Sequence, residues 1–292
     1  GIQIAAINTL YQLAYLQQNE PEQLAQADKL LLMPDLFAYF LTGVTRAEYS
    51  EASTTQCLNP KTGDWAYELL DRLNIPRRLF PPIVDAGDTY GLLSDEICEE
   101  LGAPKVPVIA VATHDTGSAV VAVPSQEKDF IFISCGTWSL FGTELQAPVI
   151  NETSFKFNLT NEGGFGRTTR FLKNIMGLWL IQESRRQWIR EGENVTFADL
   201  EREALACEPF RCFINPDDDS FVSPGNLPKR VQEFCQRTGQ YVPQTRGEIM
   251  RCIYESLAMK YRYTFHAIRE VTGLEYTSIH MIGGGTKDRL LC

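Results

Sequence analysis

Seven consecutive residues, Val106 to Ala112 (VPVIAVA), carry no charge and no side-chain hydrogen-bonding group, and the run stops at Thr113-His114-Asp115-Thr116. A compact, β-branched apolar run of this kind predicts a fully buried strand. Such a strand needs cover on both faces, which points to helices packed around a sheet. Phe130 to Ser134 repeats the pattern, turns at Cys135-Gly136-Thr137-Trp138 and returns over Ser139 to Leu145 as a β-hairpin that opens a second domain. Ser278 to Ile282 predicts a further strand, ending at Gly283-Gly284-Gly285.

Helical spacing fills much of the rest. Leu10, Leu13, Ala14 and Leu16 share one face, Leu24, Ala27, Leu30 and Leu31 continue in the same spacing, and Pro34 to Gly43 adds a further turn or two. Shorter helices are predicted over Trp65–Leu73 and Asp95–Leu101, the latter ended by Gly102, and a long one from Lys173 to Arg190. Glu248 to Val271 is the clearest helix, with Ile249, Ile253, Leu257, Tyr261, Phe265 and Ile268 as its stripe and Gly273 as its cap. Thr54–Pro60, Pro76–Gly91, the stretch holding Gly163, Gly164 and Gly166, and the acidic NPDDD at 215–219 read as loops. Polar residues from Pro124 to Asp129 mark a joint, which divides the chain into domains at 1–123 and 124–292. The expected class is therefore α/β with two domains.

Composition narrows the function classes. The chain has 292 residues, and 27 Lys+Arg against 37 Asp+Glu leave a net charge of −10. That field repels a phosphate backbone and an anionic membrane surface, so neither nucleic acid nor membrane is an expected partner. No apolar run approaches the roughly 20 residues of a membrane span. The eight cysteines form no C-x-x-C pair, and no H-E-x-x-H occurs, so no metal ligand is assigned. Reduced thiols in a cytoplasmic protein are expected. Cys235 and Cys252 fall on neighbouring predicted helices, and the free-thiol reading is preferred for them too. A start at Gly1 without a leader-like segment and a stop at Cys292 just past a strand read as a piece of a longer protein.

Three places can carry chemistry. Asp115 follows a predicted buried strand, where α/β proteins bind ligands, and a carboxylate there can take a proton from a substrate hydroxyl. It can equally be the N-cap of the following helix. His114 either positions a ligand or is a satisfied polar residue, while His266 and His280 read as structural. The turn at Ser134-Cys135-Gly136-Thr137 can converge backbone N–H groups and a hydroxyl on phosphate oxygens, or be an ordinary hairpin turn. Gly283-Gly284-Gly285 allows close backbone approach to a ligand but fits neither the P-loop nor the Rossmann spacing. Thr160-Asn161-Glu162-Gly163-Gly164 can bind hydroxyls or simply turn.

Taken together, these segments resemble the FGGY carbohydrate kinases over nearly the whole chain, and within them closely the branch that acts on L-rhamnulose. The resemblance is carried by residues 8–13 (NTLYQL), 31–35 (LLMPD), 41–43 (LTG), 52–56 (ASTTQ), 114–116 (HDT), 136–140 (GTWSL), 160–164 (TNEGG), 173–179 (KNIMGLW), Asn215-Pro216 and the glycine run. It implies a two-lobed, actin-like ATPase (ribonuclease H-like) α/β fold with sugar and ATP in the cleft between lobes. The start of the first lobe and the end of the second would lie outside this sequence. The missing start would hold a Gly-rich phosphate hairpin with an acidic residue linked to Mg²⁺.

The resemblance implies Asp115 as catalytic base, with His114, Thr116 and Asn174 at the substrate. Thr137, Gln182 and Gly284 would lie at the nucleotide, so that Asp115, Thr137 and Gly284 face one cleft. The implied reaction is ATP- and Mg²⁺-dependent phosphorylation of L-rhamnulose at its 1-hydroxyl. A neutral ketose suits the acidic chain, the oligomeric state is left open with a monomer as one option, and these residues alone are not expected to turn over substrate. The alternatives are a fuculose or xylulose kinase, or a non-catalytic sugar- or nucleotide-binding protein of the same fold. A glycosidase is disfavoured because no second carboxylate is evidently placed beside Asp115.

Overall fold

The computed structural model describes residues 1–292, and its helix limits follow local chemistry. Asp95–Leu101 starts behind Ser94, whose hydroxyl accepts the Ile97 N–H, and ends at Gly102 in the left-handed region. Arg246–Thr272 opens with a reciprocal capping box between Thr245 and Glu248 and closes at Gly273, φ 68°. Both ends satisfy backbone groups that a helix leaves without partners.

Contacts divide the chain into two units: Gly1–Pro124 with Glu144–Leu172, and Ser125–Thr143 with Lys173–Cys292. The first limit falls at Pro124, in the polar joint. Residues 144–172, expected with the second domain, group with the first unit instead. Long-range hydrogen bonds hold them there: Gly163 N–H to Ser53 Oγ at 2.7 Å, Arg167 Nη1 to Gly63 O at 2.8 Å, and Asn161 Nδ2 to Gly1 O at 2.9 Å.

In the first unit, helices Thr9–Asn19, Pro21–Gln26, Met33–Thr42, Tyr67–Arg72, Asp95–Leu101 and Asp115–Val121 are joined by strands of two to four residues. One core gathers Leu10, Leu13, Leu24, Tyr49, Trp65, Leu70, Leu79 and Phe80. Fully burying a Leu such as Leu70 is worth roughly 1.5–3 kcal/mol. Leu30 and Leu31 are not helical: the Pro21 helix stops at Gln26, and Leu30 N–H donates to Leu79 O at 2.7 Å.

The VPVIAVA run departs from expectation. Only Pro107–Ile109 is strand, paired antiparallel with Thr89–Leu92, and Val106, Ile109 and Val111 are exposed while Ala110 and Ala112 are buried. Apolar composition was taken for two-sided burial, but the burial alternates between the two ends of the run. The TNEGG stretch is also corrected: Thr160–Gly163 is a buried strand, antiparallel to Thr169–Met176, with Arg170 opposite Glu162. The long helix expected over Lys173–Arg190 is two elements, the end of that strand and the helix Trp179–Arg190, separated by Gly177.

The second unit carries the hairpin Ile131–Cys135 and Trp138–Leu145, the latter up to Thr143, registered Cys135 to Ser139 and Phe132 to Gly142. Ile279–Ile282 lies parallel to the first hairpin strand, from Ile279 opposite Ile131 to Ile282 opposite Ser134. Arg246–Thr272 buries Ile249, Ile253, Leu257, Tyr261 and Ile268 of the expected stripe, leaves Phe265 half-buried, and packs against Phe197–Leu205. That helix went unassigned in the hydrophobic pattern, although Thr196 caps it, while Leu227–Arg237, capped by Asn226, is the helix expected around Cys235.

Candidate active site

Glu48 organises the first cluster. Its carboxylate Oε2 accepts from Ser50 Oγ at 2.5 Å, Thr113 N at 3.0 Å, Thr113 Oγ1 at 2.8 Å and Glu51 N at 3.2 Å. Ser50 Oγ in turn accepts the His114 N–H at 3.2 Å. Two buried polar residues from the Ala47–Ala52 segment thus hold the backbone of the Thr113-His114 turn. A buried carboxylate needs such donors to offset the loss of water.

The turn presents Asp115 outward: its side chain is 97% exposed, while that of His114 is 18% exposed. The helix Asp115–Val121 has His114 at its N-cap position, so Asp115 is the first helical residue and not its cap. Asp115 Oδ1 accepts the Thr116 N–H at 2.5 Å and the Thr116 hydroxyl at 3.3 Å. Thr116 itself is buried, so it supports the carboxylate from behind. This arrangement leaves Oδ2 to face solvent.

Charge crowds behind Asp115. Burial, then the neighbouring Asp35, Glu48 and Asp115 carboxylates, push Glu51 up to about 7, with Arg170 opposing. Burial raises Asp35 to about 6 against hydrogen bonds from Tyr90 and the Glu48 N–H. His114 is held below the usual histidine range by burial and then by the Arg170 guanidinium, against Glu162, Asp115 and Glu48. Arg170 has no exposed surface; its Nη2 lies 3.4 Å from Glu162 Oε2, its Nε donates to Gly163 O at 2.9 Å, and its Nη1 sits 3.4 Å from His114 Nδ1.

The second unit builds its cluster from backbone. The carbonyls of the Gly136-Thr137 turn accept N–H groups from Gly177 (3.1 Å), Leu178 (2.9 Å) and Trp179 (3.1 Å), which seats the turn on the start of the Trp179–Arg190 helix. Only glycine fits at 177, because a Cβ there would lie 2.5 Å from Ser139 Oγ and 2.7 Å from its N. Thr137 is left exposed, and Gln182 lies half-buried in the first turn of that helix. Gly283, at φ 90°, packs on the end of the neighbouring strand, where a Cβ would meet Cys135 O at 2.8 Å. Gly284 is exposed, with open space on its Cβ side. The parallel register therefore brings the Thr137 turn and the glycine run to the same end of two adjacent strands. Asn174 is half-buried on the strand Thr169–Met176. The Asn215-Pro216 loop continues into Asp217, which accepts the Met176 N–H at 3.0 Å and pairs with Lys260 at 2.7 Å.

Histidines 266 and 280 lie away from these groups, His266 exposed on the long helix and His280 edge-on to Phe130 at 5.6 Å. A groove of about 930 Å³ in the first unit, walled by Tyr49, Trp65, Phe80 and Arg167, holds none of the expected residues. Sequence reasoning missed Glu48 and Arg170; an arginine between the strand-forming Thr169 and Phe171 was the available signal for the latter. Cys235 and Cys252, on neighbouring helices, are free thiols as expected, but their convergence with Cys212 was missed: the three buried sulfurs lie within 4.8 Å of one another. Hydrogen bonds from Cys212 and then Cys252 lower the Cys235 pKa. No helix is long and apolar enough to cross a membrane.

The sequence model for the N-terminal domain of the FGGY family of carbohydrate kinases matches residues 1–122, and that for the C-terminal domain matches 131–292. A curated rhamnulokinase of Bacteroides thetaiotaomicron is 44% identical over 291 residues, covering 100% of this chain and 59% of its own length. One from Enterococcus faecalis is 42% identical over 295 residues and is covered over 58% of its length. The chain thus spans less than two thirds of these relatives. Among solved structures, a ligand-bound xylulose kinase from Lactobacillus acidophilus superposes with a TM-score of 0.73 at 18% identity, covering 100% of this chain and 58% of that one.

Proposed function

The chain belongs to the FGGY family of carbohydrate kinases, and from that premise we propose that it takes part in ATP-dependent phosphorylation of L-rhamnulose to L-rhamnulose 1-phosphate. Its fold is the mixed α/β, actin-like ATPase fold of those kinases. Similarity to rhamnulokinases at 44% identity supports the sugar, whereas xylulose kinases at 18% share the fold. The observation that carries the reading is the Asp115 carboxylate, 97% exposed on a turn that buried Glu48 and Ser50 hold in place.

In this reading the first domain is the sugar side. Asp115 Oδ2 takes the proton of the 1-hydroxyl as that oxygen attacks the γ-phosphorus, and the bond to the ADP oxygen breaks. Positioning and charge stabilisation, rather than covalent chemistry, supply the rate. Thr116 keeps Oδ1 occupied, so one oxygen is oriented and the other is available. His114 and Asn174 contact the sugar. The second domain is the nucleotide side, with Thr137, Gln182 and Gly284 at ATP; the open space at Gly284 suits close approach of a flat or charged group.

The family implies Mg²⁺ as well. Mg²⁺ takes oxygen ligands, and the convergent metal-ligand cluster in this chain is of three thiols, so no step is assigned to the metal here. Free thiols at all eight cysteines fit a reducing cytoplasm.

The test is Asp115→Asn in the full-length protein, assayed with ATP and L-rhamnulose. Turnover should fall by about 10²–10⁴-fold, while sugar affinity and melting temperature stay near those of the parent, because the amide still hydrogen-bonds a hydroxyl. Equal turnover removes Asp115 from the base role. Preferred phosphorylation of xylulose or fuculose in a ketose panel replaces the sugar.

A further inference from the structure

The TNEGG strand and Arg170 are left unexplained by phosphoryl transfer alone. Arg170 is a fully enclosed cation, and the antiparallel register sets it directly across from Glu162, itself 4% exposed. Such pairs are costly to assemble, because both charges give up water. Three of the guanidinium nitrogens each face a different partner: Nε the Gly163 carbonyl, Nη2 the Glu162 carboxylate, and Nη1 the His114 ring at Nδ1.

Guanidinium nitrogens donate and never accept. Nη1, at 3.4 Å, can therefore approach Nδ1 favourably only if that nitrogen carries a lone pair, which puts the ring proton on Nε2; Asp115 Oδ1, at 3.6 Å from the same nitrogen, pulls the other way. A doubly protonated ring would turn both ring nitrogens into donors and set a second cation against the buried guanidinium. We propose that Arg170 is a positioning residue that, anchored by Glu162 and Gly163, fixes His114 as the neutral Nε2–H tautomer. The ring beside Asp115 then offers one hydrogen-bond donor and no net charge, which suits an uncharged hydroxyl oxygen as its ligand. The donor role toward a sugar rests on the kinase reading above; the tautomer does not.

The groups that bear on the ring come from four elements. They are Arg170 from Thr169–Met176, Glu162 from Thr160–Gly163, Asp115 from the following helix, and Glu48 from Ala47–Glu48. The three carboxylates favour a charged ring, and Arg170, together with burial, opposes them.

Ring nitrogens are read by ¹⁵N NMR, with the His114 signals assigned as those lost in His114→Gln; His266 and His280 are the other two histidines of this sequence. In the full-length protein, His114 should show an unprotonated Nδ1 and a protonated Nε2 at neutral pH, and should stay uncharged to lower pH than an ordinary histidine. A ring protonated at Nδ1, or one that gains its charge no lower than an ordinary histidine does, overturns the proposal. In the double variant Arg170→Gln/Glu162→Gln, which removes both buried charges together, the ring should titrate at higher pH or populate both tautomers. An unchanged ring overturns the proposal.

Kinetics separate this from the sugar-kinase reading. Arg170→Lys keeps the charge but not the fork, and should raise the ketose KM about tenfold with a smaller change in kcat. A kcat loss with KM unchanged overturns the sugar-donor role. Loss of the kinase reading itself would appear in Asp115→Asn, which leaves the ring measurement intact.

Discussion

The surroundings of Asp115 and of Thr137 are made from different materials. Around Asp115 the first unit packs ionisable side chains, with Glu48, Glu51, Glu162, Arg170 and His114 all half-buried or buried. Around Thr137 the second unit offers peptide groups and glycines, and the neighbouring side-chain bond is the neutral Ser139–Tyr261 pair at 2.6 Å. The difference suits the two tasks proposed above. A base and a hydroxyl-reading pocket need side chains with defined protonation, whereas phosphate oxygens are met by backbone donors that carry no titratable charge. It also sets how each region fails: the first through charge and pH, the second through space.

The largest expected break is at Arg170. Arg170→Met leaves Glu162 buried without its cation, and removing one partner of a buried pair costs about 3–5 kcal/mol. Denaturant unfolding should show that loss, and adding Glu162→Gln should restore much of it. A single-variant loss under about 1 kcal/mol would mean that water reaches the pair and that the first region is not a closed charge network.

Gly177→Ala tests the other side. The new methyl group would sit 2.5 Å from Ser139 Oγ and 2.7 Å from its N, so the turn must move. Overpacking of this kind costs about 1–3 kcal/mol. The cost should be the same at pH 5 and pH 8, since no titratable group is involved. A pH-dependent cost would erase the contrast between the regions.

The smallest effect concerns Asp35. Its pKa, raised to about 6 chiefly by burial, means that the fold favours the neutral acid. That preference acts in full below the unfolded pKa near 4 and is lost as pH rises through 6. Wild type should therefore lose about 1 kcal/mol between pH 5 and pH 8 relative to Asp35→Asn, which cannot ionise. The difference between the two proteins cancels the titrations they share; Glu51, which the Asp35 carboxylate helps to raise, shifts with it, so the curve reports Asp35 together with that coupling. Parallel stability curves would show that Asp35 is ionised throughout.

Much of the architecture was legible in the residues. The hairpin around Gly136-Thr137, the helix Asp95–Leu101, the long C-terminal helix and the strand before the glycine run were each announced by signals within a few residues of where they act. Asp115 was picked out by its place after an apolar run, although that run proved to be half exposed. The errors have a common origin. TNEGG looked like a turn because its residues are polar, but it is a strand paired with Thr169–Leu172; KNIM looked helical because it leads into a helix, but it continues that strand, whose other neighbour in the sheet is Trp138–Leu145.

What the sequence determined by itself was therefore local: where helices stop, where glycine relieves the backbone, and which carboxylate follows a strand. Those outcomes depend on φ, ψ and hydrogen bonds between near neighbours, and a short window contains them. What only the tertiary structure decided was which polar groups are taken out of water together. Arg170 meets His114 across 56 positions, Thr113 meets Glu48 across 65, and three cysteines from separate segments bring their sulfurs within 4.8 Å. A charge or thiol in a sequence carries no mark of its burial; its partner, and with it its protonation and its role, is settled when packing removes the solvent.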